Sequence, residues 1–474
     1  MTYNAALRTA SGALVTPGQV AGSLRAGVLG PAALRTRLTQ IPQGGTFPST
    51  SGSTGNTSFI RLYCLEAVPR TIRVLFPGSL FNTSMHILGC GAVGLSSFAP
   101  WAASESTFSG GFASACHLSA PTGAIVSRVF FDNAGAWGTP ATDAINFAGT
   151  NAGYTVPAVP ANTTGAAGPY TIVASDTVPF FPVPRTDGHP GWLVAVMVTI
   201  SGTGLIAGAD NEAYFVAFNK DATANRNRFA GCGYSWNVGS DYSQDVTAGG
   251  GGWNGSTITP FLGIQYDTEY PGLQISMAGD SGSVAPTTDN YSQPIRRAAW
   301  DLSTSTLPVE VANFGWGGVA RSAYSGVLTA NAGLVRPSAL LYQPLSRNDG
   351  FDAQGGLTFL LANGLNVGDA VAQLYGTRLV WNTPICEPSY DNSSSAQAAF
   401  TTLLDALRTA SAATGIPHID RPSVLGQPLA QWDYITSPAV SDDNTHFNSI
   451  GAELEVPMCR AALRAMLPGL PATP

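Results

Sequence analysis

LQISMAGDSGS, residues 273–283, decides how the second half of this chain is read. Its opening residues are apolar or small enough to form a short buried strand, and Gly-Asp-Ser-Gly then turns the chain sharply. A strand ending in such a turn holds Ser281 at its carboxyl end, where a hydroxyl stands exposed. Alone, the tetrapeptide is ordinary turn chemistry, so its meaning depends on the surrounding pattern.

Downstream, strands alternate with helices. PVEVANFG (308–315), ALLYQPLS (339–346), TRLVWNTP (377–384) and IPHIDRP (416–422) read as further strands. Between the last two, Phe400, Leu403, Leu404 and Leu407 recur at helical spacing behind the capping serines Ser393 to Ser395. This alternation predicts a parallel sheet covered on both faces, with ligands at the carboxyl ends of its strands.

Upstream the texture differs. Short apolar runs from 59 to about 265, among them TIRVLFPG, GWLVAVMVTISG and EAYFVAFN, are separated by Gly, Pro, Asn and Ser clusters, predicting an antiparallel sandwich or jelly roll. Residues 44–58 (GGTFPSTSGSTGNTS) read as a linker, and Val20, Leu24, Val28 and Leu29 suggest short helices before it. The expected organisation is a helical arm over 1–45, a β-rich binding or assembly domain over 46–260 and an α/β domain over 261–474.

Composition narrows the function classes. The 474 residues are 44% hydrophobic and only 11% charged, with 54 Gly and 33 Pro, as in a turn-rich globular protein. A net charge of -7 argues against general nucleic-acid binding, which needs a basic face. Arg8, Arg25, Arg35 and Arg37 give residues 1–45 a charge of +4 and leave -11 for the rest, so the arm reads as solvated or as a dock for an acidic partner. Six widely spaced cysteines exclude the usual zinc patterns and a disulfide scaffold, leaving buried thiols with room for one bridge among Cys64, Cys90 and Cys116. No metal or nucleotide motif is present, so no cofactor is expected. The N-terminus lacks a secretory apolar core, and no stretch approaches the roughly 18 apolar residues that cross a bilayer. A soluble protein is expected, reaching any extracellular target through a virion, lysis or dedicated export.

A serine needs a base to become a nucleophile. Of the five histidines only His418 and His446 lie in the α/β part, and His446 alone has an Asp three residues before it, Asp443. His418, inside a strand candidate, reads as a core or edge histidine. Oxyanion donors are available after the next strands, as the Gly315 N–H and the Asn348 side chain.

Gly-Asp-Ser after the first strand, glycine after the second, Asn-Asp after the third and Asp-x-x-His near the C-terminus together resemble the SGNH hydrolase family, or GDSL esterases and lipases, over about 265–470. The resemblance implies a flavodoxin-like three-layer fold and ester hydrolysis through an acyl-enzyme. It implies Ser281 as nucleophile, His446 as base and then acid, Asp443 as its orienting carboxylate, and Ser281 N–H, Gly315 N–H and Asn348 as the oxyanion hole. Asp280 and Asp349 take structural hydrogen-bonding roles in that pattern. Trp316 and Phe447 adjoin these positions as candidate rim residues. Two positions depart from the family: Gly282 replaces an aliphatic residue, which would loosen the turn, and Ser346 replaces a glycine, which would narrow the pocket. The resemblance suggests an O-acetylated glycan as substrate. The competing expectation is a structural or receptor-binding protein, for example of a phage particle, oligomerising through its N-terminal region and using the hydrolase fold for binding.

Overall fold

The computed structural model describes residues 34–38, 43–46, 56–77, 85–98, 118–119, 127–128, 135–136, 154–156, 172–188, 190–201, 206–209, 233–238, 254–256, 263–270, 272–283, 294–304, 307–315, 320–331, 339–344, 346, 372, 377–383, 394–421 and 449–467. They fall into two compact units, one drawing on described residues from 34 to 270 and the other on those from 272 to 467.

The first unit contains β1 (Leu34–Leu38), β2 (Asn56–Leu65), β3 (Thr71–Pro77), β4 (Met85–Leu95), β5 (Ile172–Ala174), β6 (Trp192–Ser201), β7 (Gly233–Val238) and β8 (Gly263–Asp267). They pair antiparallel in two sets, β4-β6-β2-β7 and β1-β8-β3-β5. The continuous apolar run of β6 follows from burial on both faces: Leu193 to Val198 are each at most 2% exposed.

Two expectations need correction here. The arm expected to be helical over 1–45 contains strand β1, which pairs antiparallel with β8. Leu34 and Leu38 sit four apart and so mimic a helix face, but Thr36 is buried between them and accepts a hydrogen bond from Gln265 Nε2 at 3.0 Å. A partner more than two hundred residues away leaves no local trace. Gly263–Asp267, placed by sequence in the domain starting at 261, pairs antiparallel with β1 and β3 inside the first unit.

In the second unit the strands are β9 (Leu273–Ala278), β10 (Val309–Asn313), β11 (Ala339–Tyr342), β12 (Arg378–Asn382) and β13 (His418–Ile419). All pair parallel, in the order β10-β9-β11-β12-β13. The described helices are α1 (Pro294–Leu302), α2 (Arg321–Ala330), α3 (Ser394–Thr414) and α4 (Ser449–Met466).

Period-two alternation assigns the sheet faces. Leu273, Ile275, Met277, Val309, Val311, Ala339 and Leu341 pack with Ile295, Ala298, Ala299 and Leu302 of α1 and with Val456, Cys459 and Leu463 of α4. Tyr342 points the other way and meets α2, where Tyr324 packs edge-on against it at 6.1 Å and Ser325 Oγ lies 2.7 Å from its hydroxyl. Helices therefore cover both faces, as the alternating sequence predicts. On α3, Phe400, Leu403, Leu404 and Leu407 are the buried stripe.

Cys64, Cys90 and Cys459 are buried, and Cys459 is a free thiol. Burial first, and the neighbouring Glu455 carboxyl second, push the Cys459 thiol pKa up. No described helix is long and apolar enough to cross a membrane.

Candidate active site

Strand order reverses direction at β9: β10 lies on one side of it and β11, β12 and β13 lie in turn on the other. Where the connections diverge to opposite sides, a crevice opens at the carboxyl ends of the strands. β9 ends at Ala278, and Ser281–Ser283 form a single 3-10 turn there. The backbone of Ser281 thus stands at the mouth of the switch point.

Gly279 makes the turn possible. A Cβ on it would overlap Ser283 Oγ and lie 2.7 Å from Gln343 Oε1. Asp280, fully buried, fastens the turn from within: its Oδ1 accepts from the Gly282 N–H at 3.0 Å and its carbonyl from the Ser283 N–H at 2.9 Å. Gly282 therefore sits in a hydrogen-bonded turn. Asp280 Oδ2 accepts from Ser346 Oγ at 3.0 Å, so Ser346 is buried and engaged with the Gly-Asp-Ser turn.

Ser283 joins the turn to both neighbouring strands. Its hydroxyl donates to Gln343 Oε1 at 3.2 Å, beyond β11, and its carbonyl accepts from Asn313 Nδ2 at 3.2 Å, at the end of β10. Gln343 is held in turn, because its N–H donates to the Ala278 carbonyl at 2.9 Å and its carbonyl accepts from the Tyr324 hydroxyl at 2.7 Å. Gly315 N–H, expected to face an oxyanion, donates to Asn313 Oδ1 at 2.7 Å. It is therefore not an open donor: an oxyanion would have to share it with Asn313.

With this geometry in place, comparison with known proteins adds a setting. No family model matches the chain, and no curated protein matches it. Among solved structures the chain resembles one described as TesA, at 16% identity over 41% of this chain and 99% of that one, with a TM-score of 0.33. It also resembles a lipase/acylhydrolase from Enterococcus faecalis, at 18% identity over 43% and 99%, with a TM-score of 0.31. A lipolytic protein of the G-D-S-L family from Veillonella parvula is 15% identical over 39% and 94%, with a TM-score of 0.31. The N-terminal part of the chain is unmatched.

Of the residues singled out by sequence, Ser281 (backbone) and Gly315 are described and lie at the ends of adjacent strands. Asp443, His446, Asn348, Asp349, Trp316 and Phe447 lie outside the described residues. α4 begins at Ser449, three residues after His446, and its attachment is visible. Arg421, just past β13, makes a paired contact with Glu455 of α4, Nε to Oε1 at 2.7 Å and Nη2 to Oε2 at 3.0 Å, and both side chains are buried. Burial pushes the Glu455 carboxyl pKa up, while Arg421 stays charged against it and also feels the charge of Asp280. Among the described residues no His, Cys, Asp and Glu cluster fits a metal ion.

A second serine, histidine and aspartate meet where α3 ends. His418 Nδ1 lies 2.9 Å from Ser411 Oγ, and Nε2 lies 3.8 Å from Asp420 Oδ2. Ser411 Oγ donates its own hydrogen to the Ile416 carbonyl at 2.6 Å, so it accepts from the ring rather than giving it a proton. Asp420 Oδ2 is taken at 2.8 Å by Arg408 Nε. Gly415, at φ +70°, closes the helix by donating its N–H to the Ser411 carbonyl at 2.9 Å. These groups terminate a helix.

Sequence reasoning passed over Asn313, Ser283 and Gln343. Asn-Phe-Gly at 313–315 did carry a signal, since an Asn side chain bonding the N–H two residues on is a common turn. The Ser283 links had none, because they join separate strands.

Proposed function

We propose that the second unit is a serine esterase that hydrolyses a carboxylic ester through an acyl-enzyme. The observation that carries this reading is the Gly-Asp-Ser turn at the carboxyl end of β9, where the strand order reverses. Ser281 attacks the ester carbonyl while His446, oriented by Asp443, takes the hydroxyl proton. The tetrahedral oxyanion is held by the Ser281 N–H and the Asn348 side chain, with the Gly315 N–H shared between it and Asn313. Collapse breaks the bond to the alcohol, which leaves with the proton from His446. Water, deprotonated by His446, then releases the acid and regenerates Ser281.

For the substrate we propose an O-acetylated carbohydrate. The first unit is read as a sandwich or jelly-roll module that positions the glycan or assembles copies of the chain, with its antiparallel pairing as support. Aryl-acetate hydrolysis by wild type and by Ser281→Ala tests the core of this reading. Loss of activity only in the variant is expected. Equal rates would overturn it, and inactivity of both would favour a binding module.

A further inference from the structure

The geometry points to Asn313 as a positioning residue of the ester-cleaving site: its carboxamide holds the Gly315 amide and the nucleophile turn in one register. This rests on the esterase reading above. Asn313 is the last residue of β10 and is 2% exposed. Its two polar atoms face two different segments. Nδ2 donates to the Ser283 carbonyl at 3.2 Å, and Oδ1 accepts from the Gly315 N–H at 2.7 Å.

The β9 turn and the β10 end are thereby joined by one side chain. Backbone pairing of β9 with β10 ends at Met277 and Asn313, and the Phe314 N–H makes a last bond to the Met277 carbonyl at 2.7 Å. Beyond that point the two chains diverge, and Asn313 bridges the gap. Gly315 is close-packed in the same place: a Cβ on it would lie 2.7 Å from Asn313 Oδ1 and 3.1 Å from the Ser283 carbonyl oxygen. Asn313, Gly315 and Ser283 form one contact set, and Ser283 is two residues from the proposed nucleophile.

A buried carboxamide that only closed its own turn would need the Gly315 bond alone. The second bond fixes the spacing between the nucleophile turn and an N–H that an oxyanion shares. Misplacement of about 1 Å in such a constellation can cost on the order of 100-fold in rate. As negative charge develops on the substrate oxygen, a charge-assisted bond to the Gly315 N–H outcompetes the neutral one to Asn313 Oδ1. Asn313 thus holds the donor before the reaction and shares it during the reaction.

The test is a double-mutant cycle of Asn313→Ala and Asn348→Ala in the full chain. Turnover of p-nitrophenyl acetate is normalised to sites titrated with a fluorophosphonate, so that unfolded protein does not count. Asn313→Ala is expected to lower kcat by about 10- to 100-fold with KM within about threefold, and to cost at least about fivefold less when Asn348 is already alanine, because both act on one oxyanion. A kcat within about twofold of wild type, or effects that multiply in full, would overturn the assignment. Should the alanine variant not fold, Asn313→Ser, which keeps an acceptor near the Gly315 N–H, enters the same cycle with the same criteria. Equal rates for wild type and Ser281→Ala would instead defeat the esterase reading itself.

Discussion

Two corners of the second unit carry a serine in or beside a turn, and they differ in how that turn is held and where it stands in the fold. At the end of α3, Ser411, His418 and Asp420 supply every residue type of a triad, yet the Ser411 hydrogen goes to the Ile416 carbonyl and Arg408 takes the aspartate. At the end of β9, the turn carrying Ser281 is fastened by Asp280, Ser283, Asn313 and Gln343. The first corner closes a helix, with its serine hydrogen and its aspartate already engaged. The second stands at the strand-order reversal and is supported from both adjacent strands. Residue types alone do not make a reactive site; the direction of each hydrogen bond and the place in the topology decide.

The largest expected effect separates the corners directly. Ser281→Ala should reduce ester turnover by roughly 10⁴- to 10⁶-fold, and Ser411→Ala should leave kcat within about twofold, both read with p-nitrophenyl acetate. A comparable loss in both would erase the distinction. Next comes the anchor of α4. Glu455→Ala leaves Arg421 buried and unpaired and should lower stability by about 3–5 kcal/mol in urea unfolding, whereas exposed charge pairs should each count for less than about 1 kcal/mol. Asn348→Ala should lower kcat about 100- to 1,000-fold, roughly 3–4 kcal/mol of transition-state stabilisation, with little change in melting temperature.

Gly279→Ala should destabilise by about 1–3 kcal/mol and reduce turnover, because the added methyl displaces Ser283 and Gln343. The smallest effect belongs to the helix-closing corner. Burial alone would raise the Asp420 pKa, but the nearby His418 ring and the hydrogen-bonded, charged Arg408 hold it below the ordinary aspartate value. A depressed carboxyl contributes stability above its unfolded pKa and loses it as pH falls through the folded one. Asp420→Asn should therefore cost a fraction of a kcal/mol near neutrality, and thermal melts should converge with wild type below about pH 4.

Much of the second unit was legible in the sequence. LQISMA, VEVAN, ALLY and RLVWN are apolar runs long enough to read as buried strands, and the α3 stripe has clear helical period. Strand β1 was not, because Leu34 and Leu38 fit a helix locally and only pairing with Gly263–Asp267 makes the segment extended. The Gly-Asp-Ser turn was readable as a place. Its fastening was not, since Asn313, Gln343 and Ser346 reach it from other strand ends and leave no spacing rule in the chain. Gly315 shows the same limit: glycine marks a close approach, but which atom approaches depends on Asn313.

Cys459 turns the packing of α4 into something a chemist can time. Its thiol is buried between helix and sheet with its pKa pushed up, so a maleimide reaches it only when α4 lifts away. The rate of its alkylation is a clock for that opening, and slowing of the clock by an added ester or phosphonate would report ligand occupancy without any turnover.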